Sequence, residues 1–190
     1  MPTKLQTYTQ IASETAKQLT STHTDWTSFL KTAARLYKYP YHEQLMIYAQ
    51  RPEATACAEY DFWSERMGRY VRRGSKGIAL IDLTGEQPKL RYVFDVSDTG
   101  NRERSLNVNL WEYKPKHENS VSDMLYERYG VSKDNDIKTQ LECVAAQLAD
   151  EYWNAYSRDI LDIVDDSFLY GYDDFNVGVA FRNAATVSIT

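Results

Sequence analysis

Apolar side chains in the first fifty residues recur at three- and four-residue steps, the spacing that lines one face of an α-helix. The pattern predicts a first helix from Lys4 to Thr20. A second helix is predicted to begin at an N-cap at Thr24 or Asp25, the residue types that cap helix starts. It ends before Tyr39-Pro40, because a residue that precedes proline disfavours helical backbone. A third helix is predicted over Tyr41 to Gln50.

The pattern changes in the middle of the chain from helical spacing to strict alternation. A short fourth helix is predicted after Asp61, with Gly68 as its C-terminal cap. Beyond it, Ile78 to Leu83 is an apolar run and Lys89 to Val96 alternates apolar with polar residues. With a turn-forming segment between them, these two stretches predict an antiparallel β-hairpin. A further strand is predicted over Leu106 to Leu110.

Helical spacing returns from Ser120 onward. It predicts a helix that ends at Gly130, a longer one over 137–152, and a helical continuation from Asp159 to Phe168. A last helix begins behind Asp173 or Asp174. Because no helix-stop signal follows it, we expect this segment to belong to a longer chain.

These elements together predict an α+β protein, with N-terminal helices packed on a small antiparallel β-sheet and a C-terminal helical region after them. The charge is divided unevenly: residues 1–91 hold 13 Lys and Arg against 9 Asp and Glu, whereas residues 92–190 hold 9 against 18. We therefore expect two domains. Residues 1–115 form a basic domain of helices plus a β-hairpin, and residues 116–190 form an acidic helical region packed on the first.

The composition is that of a folded protein, with 43 % hydrophobic and 26 % charged residues in 190. No apolar run approaches the roughly 18 residues that a membrane helix needs. The N-terminus lacks the apolar stretch of a signal peptide. We expect a cytoplasmic protein that does not contact membranes.

Motifs for metal binding and catalysis are missing from the sequence. Cys57 and Cys143 stand far apart, with no CxxC pair. His42-Glu43 begins like the zinc motif HExxH, but Met46 occupies the position of its second histidine. No Gly-x-Ser-x-Gly elbow is present, and Val71 to Gly77 does not match a nucleotide-binding loop. We predict neither a metal nor a cofactor, and no catalytic residue.

The sharpest feature is a run of cations uninterrupted by any acid. It contains Arg66, Arg69, Arg72, Arg73 and Lys76. Such a cluster suits a nucleic-acid backbone, because arginine grips phosphate oxygens with paired N–H donors and each neutralised phosphate releases counterions. Interleaved aromatic residues favour single strands, since any base can stack on an exposed ring. The alternative is a solvated charged face without a ligand.

Two aromatic residues are candidates for stacking on bases. Tyr70 alternates with Val71, so its ring points to solvent if Val71 points inward. Trp63 follows Phe62 at helical spacing, and at least one of these two rings must belong to the core. The full set of candidate nucleic-acid contacts is Arg51, Trp63, Arg66, Arg69, Tyr70, Arg72, Arg73 and Lys76.

The acidic half offers other hypotheses. Asp159, Asp162, Asp165 and Asp166 form a stripe on one helical face. Two-metal nucleases build their sites from clustered acids, although a solvated helix face has the same pattern. Alternatively, the acidic half imitates DNA or docks a basic partner protein.

Residues 44–52 and 63–78, within a stretch from Trp26 to Asp95, resemble the N-terminal domain of ArdC-like antirestriction proteins. The most specific part is the turn Gly-x-x-Val-Arg-x-Gly-x-x-Gly, which spans Gly68 to Gly77 here. The version that it resembles stands at the start of large conjugative-transposon proteins with helicase or methylase parts. The metallopeptidase domain of ArdC is not carried over, because its HExxH motif is missing.

The resemblance implies non-catalytic binding of single-stranded DNA in the service of conjugative transfer. It places Arg69, Arg72, Arg73 and Lys76 on the DNA side, with Gly68, Gly74 and Gly77 as backbone requirements. The match covers about the first half of the chain. The alternative function is a protein-interaction or DNA-mimic inhibitor module that acts through the acidic half on a host defence protein. A further mobile-element protein is the other partner expected for this half.

Overall fold

The computed structural model describes residues 2–110, 112–167 and 169–190, without the side chain of Asp166. The chain divides into two compact units, Met1–Trp111 and Glu112–Thr190. The first combines helices with two small antiparallel sheets and the second is helical, so the α+β class is confirmed. The predicted boundary after residue 115 lies close to this division.

Three helices open the first unit: α1 (Lys4–Leu19), α2 (His23–Arg35) and α3 (Tyr41–Gln50). All three were predicted from the apolar spacing. The N-cap of α2 is Thr22 rather than Thr24 or Asp25, because the Thr22 side chain accepts a hydrogen bond from the backbone N–H of Asp25 at 3.1 Å. Threonine and aspartate are both good caps, so composition alone did not distinguish these neighbouring positions.

Five short strands follow. They are β1 (Cys57–Glu59), β2 (Tyr70–Val71), β3 (Ile78–Asp82), β4 (Lys89–Asp95) and β5 (Thr99–Gly100). One sheet has the order β1-β4-β3, and β2 pairs with β5 in a second sheet, with all pairs antiparallel. The predicted hairpin is therefore confirmed as β3 and β4.

The strand predicted over Leu106 to Leu110 is wrong, since these residues belong to no strand. Alternation alone cannot make a strand, because a strand needs a free sheet edge to pair with. The start of this segment lies instead against the residues before β2, where the N–H of Leu106 donates to the carbonyl of Met67 at 2.9 Å. Three-residue β1 was missed because it is too short to show a period.

The core of the first unit lies where α3 meets the three-stranded sheet. Leu36, Met46, Ile47, Ala54, Ile78, Leu80 and Val93 form one buried cluster. Leu19, Phe29 and Leu45 form a second cluster among the helices. Helix α3 contributes to both clusters, so it connects the helical layer to the sheet.

The outer edge of β3 is covered by the side chain of Gln50, the last residue of α3. Its Nε2 donates to the carbonyl of Ala79 at 2.8 Å, and its Oε1 accepts from the N–H of Ala79 at 2.9 Å. The carboxamide thus reproduces the pair of bonds that a neighbouring strand would make. A protected edge is less available for pairing with another chain.

We expect Gln50→Leu to lower the free energy of unfolding of the first unit by about 2 kcal/mol. Ala79 is fully buried, and an unsatisfied buried backbone group costs about 1 to 3 kcal/mol. Urea unfolding of the two proteins measures the difference. Gln18→Leu, on the exposed side of α1, serves as the control and should leave stability within about 0.5 kcal/mol. An equally stable Gln50→Leu variant would contradict the role of this contact.

The second unit contains α4 (Glu118–Tyr129), α5 (Ile137–Asp162) and α6 (Asp174–Ile189). Gly130 ends α4 with a φ of 71°, and Asp173 caps α6, both as predicted. Leu125, Val131 and Val144 form a buried cluster where α4 and α5 pack.

The predicted helical continuation from Asp159 stops earlier than expected. Helix α5 ends at Asp162, a 3₁₀ turn follows at Val164–Asp166, and Phe168 lies outside the described residues. Across the described ranges, no helix combines the length and the apolar character that crossing a bilayer requires.

Candidate nucleic-acid interface

The basic segment begins at a π-helical turn, Phe62–Arg66, and continues through β2 to Gly77. Two of its glycines have left-handed backbone conformations, with φ of 62° at Gly68 and 89° at Gly74. Residues other than glycine rarely adopt these angles. The bends at Gly68 and Gly74 therefore direct the chain into and out of β2.

Arg51 is not available to a nucleic acid as predicted. Its guanidinium forms an ion pair with Asp98, and both side chains are largely buried. The hydrogen bond to Asp98 raises the pKa of Arg51 above its ordinary value. Asp98 also accepts from the backbone N–H of Asp95 at 3.2 Å. Arg51 therefore connects the end of α3 to the turn after β4, and its role is structural.

Arg69 and Arg72 hold the β2–β5 sheet together. Arg69 donates from Nε to the Thr99 hydroxyl at 2.8 Å and from Nη1 to the side chain of Asn101. Arg72 donates from Nη1 to the carbonyl of Ser97 at 2.8 Å. A guanidinium has five N–H donors, so each arginine keeps donors that these bonds do not use. Both side chains have a structural role whether or not they also bind phosphate.

Arg66, Arg73 and Lys76 differ from Arg69 and Arg72 in their hydrogen bonding. All three side chains are exposed, and within the described part of the chain none of them forms an ion pair or a hydrogen bond. Because no described acid is paired with these three side chains, their charge is available to a ligand. These three residues are the predicted contacts that the structure leaves free to bind an anion.

A second basic segment lies against the first. The Ser105 hydroxyl donates to the carbonyl of Gly68 at 2.7 Å, and the N–H of Leu106 donates to the carbonyl of Met67 at 2.9 Å. These bonds bring Arg102 and Arg104 beside the Gly68 turn. Both side chains are exposed and, among the described residues, unpaired.

Sequence reasoning missed Arg102 and Arg104. The only signal was an Arg-x-Arg pair in a polar loop, more than thirty residues from Gly68. We define the basic surface as the five exposed cations of the two segments. They are Arg66, Arg73, Lys76, Arg102 and Arg104. Two exposed acids, Glu65 and Glu103, lie in the same segments.

Tyr70 is partly exposed, at 42 %, and its ring covers Gly100 on the paired strand. A Cβ atom at position 100 would lie 2.5 Å from Tyr70 Cζ, so the ring rests directly on the glycine backbone. Glycine at position 100 is therefore required for this close approach. The rest of the ring stays open to solvent, as the alternation with Val71 predicts.

Trp63 does not stack on a base, and its predicted contact role is wrong. The side chain is 2 % exposed, and the indole Nε1 donates to the carbonyl of Phe94 at 2.8 Å. Phe62, at the adjacent position, is 47 % exposed. Helical spacing required one of the two rings to be core, and the part-buried carbonyl of Phe94 on β4 favours the ring that has an N–H donor.

The two units differ in charge. Met1–Trp111 carries 15 Lys and Arg against 12 Asp and Glu, whereas Glu112–Thr190 carries 7 against 15. Asp159, Asp162 and Asp165 are exposed, and the side chain of Asp166 lies outside the described part. Among the described residues, no group of three His, Cys, Asp or Glu side chains could hold a metal ion. Docking of a basic partner on this unit stays a prediction.

Comparison of the chain with protein-family models, with curated proteins and with solved structures found no match.

Proposed function

We propose that the first unit binds single-stranded DNA without catalysis and without strong sequence preference, as part of a mobile-element protein in conjugative transfer or antirestriction. The site of action is the cytoplasm. The observation that carries this proposal is the basic surface, where five exposed cations from two segments have no protein partner among the described residues.

Phosphate is the ligand that this surface fits best. Arginine and lysine neutralise phosphates, and the counterions released from the nucleic acid drive binding. Cations that are already bonded within the protein contribute little to this effect, so the unpaired side chains of Arg66, Arg73 and Lys76 matter most. Gly74, one of the two glycines with positive φ in this region, is itself exposed and has no side chain to keep a phosphate away from the backbone.

A single strand fits better than a duplex because of the partly exposed ring of Tyr70. A base can stack on such a ring only when it is not already stacked and paired in a double helix. The resemblance of residues 63–78 to the N-terminal domain of ArdC-like proteins supports the same substrate class. These arguments are independent, since one rests on geometry and the other on residue pattern.

Fluorescence anisotropy of labelled oligonucleotides, titrated with the full chain over a range of salt concentrations, tests the proposal. If all five cations contact phosphates, the slope of log K against log salt should be about −3.5 for a single strand. We expect the duplex of the same sequence to bind more weakly. Failure to bind any strand at low salt, or a preference for the duplex, would contradict the proposal.

A further inference from the structure

A contiguous group of aromatic rings lies on one face of the three-stranded sheet. Tyr92 and Phe94 alternate along β4 with the buried Val93, so their side chains lie on the sheet face opposite to it. Tyr60, just after β1, packs edge to face on Phe94 with ring centroids 6.5 Å apart. Tyr60 is 52 % and Tyr92 42 % exposed. We call Tyr60, Phe94 and Tyr92 the aromatic platform.

The aromatic platform adjoins the basic segment through Gly77. A Cβ atom on Gly77 would lie 3.2 Å from both Tyr92 Cβ and Phe94 Cζ, so the backbone of the turn touches both side chains. Lys76, a free cation of the basic surface, is the preceding residue. Gly77 has no positive φ, and it is required at this position for close approach rather than for backbone conformation. The free cation is therefore next in the chain to the glycine that contacts the rings.

The charges near the aromatic platform disfavour phosphate there. A groove of about 420 Å³ is lined by both tyrosines and by five charged residues. Four of these five form ion pairs, Lys89 with Asp82 at 3.4 Å and Arg91 with Glu59 at 3.0 Å. The fifth, Asp61, is an exposed acid. The groove has no free cation for a phosphate, so an uncharged ligand is favoured.

We propose that the aromatic platform stacks the bases of the single strand whose phosphates lie on the basic surface. This inference rests on the function proposed above. It assigns the two halves of each nucleotide to two adjoining regions: bases to Tyr60 and Tyr92, and phosphates to the cations around Lys76. Stacking on these rings is tolerant of sequence, because every base has a π-face.

The test compares two oligonucleotides of about 16 nucleotides, at the upper end of site sizes for single-strand-binding grooves. One has mixed bases and the other has abasic sites throughout, so that only the first can stack. We expect the wild-type chain to bind the base-bearing strand at least about 30-fold more tightly. In the double variant Tyr60→Leu/Tyr92→Leu, the preference for the base-bearing strand should fall about 30-fold or more, because only Tyr70 is then left to stack on a base. The salt dependence should be unchanged.

Tyr37→Leu/Tyr41→Leu is the matched control, since these tyrosines are also exposed but lie in the turn after α2 and at the start of α3. This control variant should bind the base-bearing strand more tightly than the abasic strand, as the wild-type chain does. A strand with 5-iodouracil should crosslink to Tyr60 or Tyr92 of the wild-type chain, a readout that does not depend on variants folding.

The outcomes separate the two proposals. Equal binding of both strands by the wild-type chain overturns the aromatic platform and leaves phosphate binding standing. A preference for bases that is undiminished in Tyr60→Leu/Tyr92→Leu, or crosslinks confined to other residues, also overturns it. Failure of the wild-type chain to bind either strand overturns both proposals.

Discussion

Replacing Arg66, Arg73 and Lys76 together by glutamine should lower the affinity for single-stranded DNA about a thousandfold. Each of these side chains is exposed and has no partner within the described part of the chain, so its full hydrogen-bonding capacity is available to phosphate. Hydrogen bonds to charged groups contribute about 1.5 to 3 kcal/mol each, and about 1.4 kcal/mol corresponds to a tenfold change in affinity.

The salt dependence should change with the affinity. Loss of three phosphate contacts reduces the slope of log K against log salt by about 2. The thermal midpoint should stay within a few degrees, because exposed substitutions without partners rarely change stability by more than about 0.5 kcal/mol. Anisotropy titration over a range of salt concentrations, together with a thermal melt, measures both effects.

A matched control separates position from net charge. Lys4, Lys17 and Lys31 are exposed cations on α1 and α2, and their replacement by glutamine removes the same total charge. This control should lose less than about tenfold in affinity, since its charges lie outside the basic surface. Equal losses in the two triple variants would mean that the proposed surface is not the binding site.

Asp95→Asn should lower the free energy of unfolding of the first unit by about 3 kcal/mol at neutral pH. The carboxylate is 2 % exposed and accepts three backbone N–H bonds, from Thr55 at 2.7 Å, Ala56 at 3.0 Å and Ser97 at 2.9 Å. An asparagine side chain has only one acceptor oxygen, so at least one of these part-buried N–H groups loses its partner. Urea unfolding of the two proteins measures the loss.

The loss of stability caused by Asp95→Asn should become smaller as the pH falls. Burial alone would raise the pKa of Asp95, but the hydrogen bonds from Ser97, Thr55 and Ala56 outweigh it and hold the pKa below the ordinary value. The stabilisation is therefore complete above the unfolded pKa of about 3.9 and is lost as pH falls through the lower folded pKa. The stability difference between the wild-type chain and the Asp95→Asn variant should shrink from pH of about 7 to about 3.

Asp61→Asn is the control for the Asp95→Asn variant. Asp61 is also an aspartate, but it is exposed and its carboxylate has no partner among the described residues. It should leave stability within about 0.5 kcal/mol at both pH values. A stability difference between wild type and Asp95→Asn that grows in acid would contradict the assigned direction of the pKa.

The helices were predictable because their signals are local. Each of α1, α3 and α6 has an apolar stripe and a residue at its start that allows only a narrow choice of boundary, as Pro40 and Asp173 do. The β3–β4 hairpin was predictable for the same reason, since alternation and a turn signal stand side by side in the chain. Short strands such as β1 and β5 carry no such signal, and their existence depends on partners that are distant in sequence.

The candidate site was only partly predictable. The run of cations from Arg66 to Lys76 is visible in the sequence, but sequence does not distinguish an arginine that is free from one that is paired. Arg51 forms an ion pair with Asp98, which is forty-seven residues away in the sequence. Trp63 donates a hydrogen bond to the carbonyl of Phe94 on β4, so its ring lies inside the protein rather than on the surface that would contact a base.

The sequence by itself determined the α+β class, the helices, the hairpin and the concentration of positive charge around the Gly68–Gly77 turn. These features depend on spacing and composition within windows of ten to twenty residues. Tertiary structure decided which cations remain unpaired, which of two adjacent aromatic rings is buried, and that Arg102 and Arg104 lie beside Gly68. Those outcomes depend on hydrogen bonds between residues thirty or more positions apart, and no local pattern specifies such partners.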